Sequence, residues 1–304
     1  MTESYPSADV KLEDMRKQVT IVIPTLNEER AIGPLIDEIK AAGYVQVLVV
    51  DGYSTDRTVE IARQNGGKVI GQHGRGKTGA ILVARDIVDT PYFLIMDGDY
   101  TYNPKDIDRF VAHAIGHDLI TGYRPGRSPN ITRTHRVGNW VLTKTFNLLM
   151  GSHVPDVACG MYLMRTAKMK ELLFDRQGFE VDQEVLAQML VNGRVTYVPI
   201  DYRARIGVPK ASTWRQGLRA FFAIIGIARR YNPVVLFGLI AAVALVPAFA
   251  LFGYAAFLFL SFDSFHGGYF LVSLMFFVIG GQGLTVATIG FMLRRLERRL
   301  TQKG

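Results

Sequence analysis

Residues 234–260 and 269–292 contain no charged side chain, and each stretch is roughly 24–27 residues long, more than the ~20 apolar residues a helix needs to cross a bilayer. A buried helix of a water-soluble core is usually shorter and keeps a polar stripe. Two membrane spans are therefore expected, and they divide the chain. Before about Tyr231 apolar and charged stretches alternate; beyond it the sequence suits lipid. The intervening "SFDSFHGG" has no Lys or Arg. Arg229 and Arg230 precede the first span, and Arg294, Arg295, Arg298, Arg299 and Lys303 follow the second. The positive-inside rule then predicts a hairpin in the cell membrane with both ends cytoplasmic. The basic clusters would face anionic lipid headgroups. The net charge of +8 thus needs no nucleic acid to explain it.

The opening "MTESYPSADVKLEDMRKQ" is polar and lacks the apolar core of a signal peptide; a mobile tail is expected over 1–17. The single cysteine, Cys159, allows no internal disulfide and suits a reducing, cytosolic setting. From residue 18 to 211 strands and helices alternate. "QVTIVIPT", "VQVLVVDG", "KVIGQ" and "YFLIMDGD" read as strands, and "EERAIGPLIDEIKAAG", "STDRTVEIARQNGG" and "KTGAILVARDIV" as the helices between them. Pro34 implies a kink or an early first turn. The alternation predicts an α/β fold with a mostly parallel sheet covered by helices on both faces. Ligands of such sheets gather at the carboxyl ends of the strands.

Those strand ends hold the chemistry. Asp51 closes the second strand, as a ligand-binding acid or as a helix cap. Asp97-Gly98-Asp99 closes the fourth. Two carboxylates one glycine apart repel unless a cation or a donor neutralises them, and Mg²⁺ uses one or two carboxylates together with substrate phosphates. Between them, "GQHGRGKTGA" fits two phosphate-binding patterns at once. Gly71 to Thr78 matches the P-loop, and Gly74, Gly76 and Gly79 match the dinucleotide turn. Neither pattern predicts the second acid, Asp99, or the apolar hairpin.

Taken in order, "VIPTLNEE", "VVDGYSTDRT", "HGRGKTGA", "MDGDYTYNP", "GYRPG", "THRVGN", "VPDVACGMYLMR", "FEVDQEVL" and "YRARIGVPKAS" resemble family-2 glycosyltransferases of the GT-A fold. Within these the resemblance is to dolichyl-phosphate (polyprenyl-phosphate) hexose synthases. It departs in three places. Gly52-Tyr53 follows Asp51 where a second acid is common. Thr101 stands where mannose synthases carry glutamine. Gln216 to Arg219 is followed by Ala220 in place of the tryptophan of processive polysaccharide synthases.

The resemblance implies transfer of one hexose or N-acetylhexosamine from a nucleotide-sugar to dolichyl phosphate, with inversion and a divalent cation, Mg²⁺ or Mn²⁺. Asp99 would ligate the metal, and Asp97 would share it or contact the ribose. Asp51 would bind the base, flanked by Pro24 and Thr25. Glu28 would line that pocket or simply favour its helix dipole. Lys77 would face the donor or be solvated. Arg124 and Arg136 would hold the acceptor phosphate, with Arg133, Arg203, Arg205 and Lys210 as further candidates. Asp156 would orient the acceptor or act as a weak base. Glu180, Asp182 and Glu184 read as a solvated helix face. Residues 212–232 read as an amphipathic helix in the membrane interface, 233–293 as the hairpin and 294–304 as a basic tail. Two other readings keep parts of this picture: transfer to a lipid hydroxyl, and a nucleotide-binding membrane protein without turnover.

Overall fold

The computed structural model describes residues 8–125, 131–174, 181–207 and 213–301. They form two compact units, one containing 1–145 and 153–223 and the other 146–152 and 224–304.

The first unit is built on a seven-stranded sheet. Its strands are β1 (Val19–Thr25), β2 (Val47–Asp51), β3 (Lys68–Gly71), β4 (Tyr92–Ile95), β5 (Leu119–Tyr123), β6 (Tyr162–Arg165) and β7 (Val195–Pro199), in the order β3-β2-β1-β4-β6-β5-β7. Every pairing is parallel except those of β6, which runs antiparallel to both β4 and β5. The β-branched run of β2 is buried along its whole length, as expected of a strand covered on both faces. Helix α2 (Ile32–Ala41) turns Ile32, Leu35, Ile36 and Ile39 onto the sheet, the spacing of one helical face. Pro34 falls in its first turn, where a missing N–H leaves no bond unmade. Helices α3 (Thr58–Gln64) and α4 (Gly76–Ile87) connect the next strands, and α5 (Ile107–Ala112) follows a short 3-10 turn at Pro104–Asp106.

Part of the expected tail is structured. Residues Ala8–Arg16 form helix α1. Arg16 grips both carboxylate oxygens of Asp108, at 3.1 and 2.6 Å, and Leu12 and Met15 pack on the core. Polar composition concealed an element that is anchored through Leu12, Met15 and Arg16.

After β5 come α6 (Arg133–Met150), β6, α7 (Thr166–Glu171), α8 (Val181–Asn192) and β7, and then α9 (Thr213–Tyr231). Ala223, Ile224, Ile227 and Ala228 of α9 are buried while Leu218 and Phe222 are exposed. In the second unit α10 (Pro233–Phe262) and α11 (Gly267–Thr301) form an antiparallel hairpin. Asn232 precedes α10 and donates its amide to Leu149 O at 2.8 Å. Glycines let the two helices close: a Cβ at Gly283 would stand 3.0 Å from Ala241 Cβ, and one at Gly280 2.5 Å from Leu245 Cγ. Two stretches, Pro233–Phe262 and Gly267–Met292, are long and apolar enough to cross a membrane, and most of their surface is unburied.

Candidate active site

Three neighbouring parallel strands, β2, β1 and β4, end side by side, and each runs into a loop holding a non-glycine residue in the left-handed region. These are Tyr53 (φ 68°), Asn27 (φ 50°) and Tyr100 (φ 70°). Such residues persist only where their surroundings over-determine them, commonly at functional sites.

At the β1–β2 end, Thr25 lies in register with Asp51. Asp51 Oδ2 accepts the N–H groups of Tyr53 and Ser54, each at 3.0 Å. Its Oδ1 is buried without a hydrogen-bond partner, and so is Thr25 Oγ1. Buried polar atoms are ordinarily satisfied, so this pair marks a place for a ligand's polar edge. Two glycines keep the floor flat. A Cβ at Gly98 would stand 2.7 Å from Thr25 Cγ2, and one at Gly52 3.1 Å from Thr25 O. Pro24 sits one step back along β1, opposite Val50.

At the β4 end, two chains of opposite charge meet at the acid pair. On one side Asp99 Oδ1 is held by Thr101, through its hydroxyl at 2.6 Å and its N–H at 3.2 Å. Asp99 Oδ2 faces Arg205 Nη1 at 3.0 Å, and Arg205 Nη2 donates to Glu28 Oε1 at 2.9 Å. On the other side Asp97 Oδ1 accepts from Lys77 Nζ at 2.8 Å, and Lys77 also donates to Asp182 Oδ2 at 2.7 Å. Burial, reinforced by the Asp97 charge, lifts Asp99 above the usual carboxylate range. Burial likewise pushes Asp182 up to about 6 against the pull of Lys77. Burial alone would lower the Lys77 ammonium, but Asp182 and Asp97 outweigh it and hold it above its ordinary value.

Lys77 is therefore neither a solvated side chain nor a P-loop lysine reaching out to phosphates: it is 6% exposed, locked between two acids. Asp182 is corrected in the same way. Helix α8 is buried nearly all round, Asp182 enters the cluster, and Glu184 is only 2% exposed. The apolar run after Glu184 was the signal that this helix has no solvated face. Glu180 and Lys210 lie outside the described residues. Gly160 escaped sequence reasoning altogether, yet a Cβ there would meet Lys77 Nζ at 2.7 Å and Asp97 Oδ2 at 3.0 Å.

Arg124, at the end of β5, clasps Asp156 with Nε and Nη2 at 2.6 and 2.9 Å, and its guanidinium lies 5.1 Å from the centroid of the Tyr202 ring. Burial would lower this arginine's pKa, but Asp156 more than reverses that. The Asp156 carboxylate is thus occupied by a cation and does not stand free as a base. Arg136 is in the first turn of α6, half-buried, with Nη2 donating to Ile131 O at 3.3 Å. No described contact joins it to the acid pair, and Arg133 beside it is exposed. Arg203 binds Glu38 and Asn103. Among the described residues no group of three or more His, Cys, Asp or Glu side chains is arranged to hold a metal.

A mostly parallel α/β sheet thus carries an acid pair past β4 and unpartnered polar atoms at the ends of the next two strands, Thr25 on β1 and Asp51 on β2, an arrangement that fits a GT-A glycosyltransferase. Residues 20–173 match Glycosyl transferase family 2, and the chain belongs to that family. Glycosyltransferase AglJ of Haloferax volcanii is 29% identical over 294 residues, covering 92% of this chain and 95% of that protein. The dolichyl-phosphate hexose transferase of the same organism is 33% identical over 207 residues, covering 66% of this chain and 89% of that one. In fold, the chain resembles glucosyl-3-phosphoglycerate synthase from Mycobacterium tuberculosis, crystallised with Mg²⁺ and UDP. The TM-score is 0.62 at 18% identity, over 75% of this chain and 85% of that one.

Proposed function

We propose that this glycosyltransferase moves a single hexose or N-acetylhexosamine from a nucleotide-sugar to dolichyl phosphate or a related polyprenyl phosphate, inverting the anomeric carbon. The observation that carries this reading is the presence, in one chain, of a strand-end acid pair and two helices long and apolar enough to reach a lipid acceptor. The name of the 33% identical relative, a dolichyl-phosphate hexose transferase, supports the same acceptor.

Thr25 and Asp51 offer their unpartnered oxygens to the nucleotide base. Asp97 and Asp99 supply the hard oxygen donors that Mg²⁺ or Mn²⁺ prefers, and they suit it electrostatically. Among the described ion pairs, the three acids Asp97, Asp99 and Asp182 are opposed by two cations, Lys77 and an arginine shared with Glu28. A bound divalent ion would act as a Lewis acid toward the departing diphosphate. In the reaction an oxygen of the lipid phosphate forms the bond to the anomeric carbon, and the bond from that carbon to the nucleoside diphosphate breaks. A phosphate monoester, with a second pKa near ~6, is largely a dianion at neutral pH and needs no strong base. The engagement of Asp156 by Arg124 agrees with this. Arg124 and Arg136 supply positive charge for the acceptor phosphate, and the catalytic unit and both termini lie on the cytoplasmic side.

The test incubates membranes containing the protein with labelled UDP-glucose, UDP-GlcNAc or GDP-mannose, with and without added dolichyl phosphate. One donor should label a lipid in proportion to the dolichyl phosphate supplied. Label reaching lipid independently of it would overturn the acceptor.

A further inference from the structure

Tyr100 follows Asp99 directly and holds φ at 70°, a conformation that disfavours any side chain bearing a Cβ. Its side chain is held in a cluster with Glu38 and Arg203. The Tyr100 hydroxyl donates to Glu38 Oε1 on α2. Arg203 lies over the Tyr100 ring, 5.0 Å from its centroid. The same guanidinium donates to Glu38 Oε2 at 2.8 Å and to Asn103 Oδ1 at 2.6 Å. Its backbone N–H donates to Thr101 O at 2.8 Å.

This cluster fixes two things at once. Thr101, whose hydroxyl and N–H hold Asp99 Oδ1, is tied by Arg203 N–H. The segment after β7 lies along the acid turn: Tyr102 bridges Tyr202, and Ile206 N–H reaches Asp99 O at 3.2 Å. Two residues beyond Arg203 the same segment delivers Arg205 to Asp99 Oδ2. Asp99 is thus gripped at both carboxylate oxygens by groups whose backbone the cluster anchors. Among the described contacts of Tyr100, Glu38 and Arg203, none is with the carboxylate of Asp97 or Asp99.

We propose that Arg203, with Tyr100 and Glu38, is a positioning residue that sets the Asp99 carboxylate and Arg205 in the geometry in which the acid pair binds a divalent cation. This rests on the reading of Asp97 and Asp99 as the metal-holding pair. The left-handed turn presents the carboxylate, and the cluster keeps the turn from relaxing.

The test follows Mn²⁺ binding to the purified full-length protein, read from the loss of the free-ion paramagnetic resonance signal, with the melting temperature measured beside it. Asp99→Asn is the reference. Should it leave Mn²⁺ binding unchanged, the metal-site reading itself fails. Given weakening there, Arg203→Ala should raise the Kd for Mn²⁺ by about tenfold, the lower end for groups that orient a metal ligand. Arg203→Lys should restore only part, since an ammonium cannot fork between Glu38 and Asn103 or stack on the ring. Tyr100→Gly separates positioning from folding. Glycine takes φ near 70° without strain, so a merely structural tyrosine could be replaced without weakening Mn²⁺ binding. We expect weaker Mn²⁺ binding in protein that still melts cooperatively, the relief of φ strain offsetting part of the packing lost with the ring. Where Arg203→Ala fails to fold, Glu38→Gln, which keeps the volume and removes the charge, takes its place. Unaltered Mn²⁺ affinity in the Tyr100 and Arg203 (or Glu38) variants, beside a weakened Asp99→Asn, would overturn the proposal.

Discussion

A hydrogen atom in place of a side chain at Gly160 leaves room for the Lys77–Asp97 contact, because a Cβ there would stand 2.7 Å from Lys77 Nζ and 3.0 Å from Asp97 Oδ2. Gly160→Ala must displace one of these groups. Misplacing a catalytic group by a fraction of an ångström to one ångström costs about 10- to 100-fold in turnover, so kcat should fall that far while the melting temperature changes little. A variant with wild-type kcat would show that the cluster tolerates being moved. The acceptor side is best tested at Arg136. Arg124→Ala would leave Asp156 buried without its cation, which confounds binding with stability; Arg136 has no such partner in its described contacts. Loss of a charge-assisted phosphate contact costs roughly 1.5–3 kcal/mol, so Arg136→Ala should raise the KM for dolichyl phosphate about 10- to 150-fold. Nucleotide binding should be unaffected, and Arg136→Lys should recover only part. Weakened nucleotide binding with an unchanged acceptor KM would remove Arg136 from the acceptor side. The placement of Asp51, Asp97 and Asp99 at strand ends was legible in the sequence, because the hydrophobic runs that precede them mark where each strand stops. Asp182 was not: its partner Lys77 is 105 residues away, and no local pattern reports a pairing across that distance.

The turn from β3 into α4 shows how one short pattern can fit two motifs and serve neither. Gly74 and Gly76 adopt φ of 82° and 63°, which turns the chain sharply into the helix. Gly79 lets the first turn of α4 lie against that loop, since a Cβ there would stand 2.4 Å from His73 O. The glycines serve backbone approach, and the lysine between them points into the acid cluster. Gly79→Ala should therefore cost roughly 1–3 kcal/mol of stability, the usual range for overpacking, because the obstructing atom is backbone and cannot swing aside. Denaturant unfolding should show the loss, and the folded fraction should bind nucleotide as before. A large drop in nucleotide affinity without loss of stability would return the loop to a phosphate-binding role. At this scale the strand–helix alternation from β1 to β4 could be read from hydrophobic runs and turn residues. The antiparallel direction of β6 could not, because "YLMR" has the same apolar character whichever way it runs. Helix α1 was missed for a related reason: its apolar side chains are too few to set a visible period.

The chain as a whole has to satisfy two solvents. The first unit buries a β-rich core between polar surfaces, whereas α10 and α11 turn apolar side chains outward along their length. Gly280 and Gly283 hold these two helices close, the small-residue contact by which helices associate where lipid offers no hydrophobic driving force between them. Their connection is four residues between Phe262 and Gly267, too short to return across a bilayer, so both spans share one turn on one side. Lys and Arg are absent from that turn and concentrated just before α10 and in the last part of α11, past its apolar stretch. Moving those arginines across the membrane is the disfavoured alternative, so the turn should face outward and both termini inward. A cysteine introduced at Ser264, in a Cys159→Ser background that removes the single native thiol, should react with a membrane-impermeant reagent added to intact cells. Labelling seen only after permeabilisation would put the turn inside, and with it the acid pair on the side away from cytosolic nucleotide-sugars.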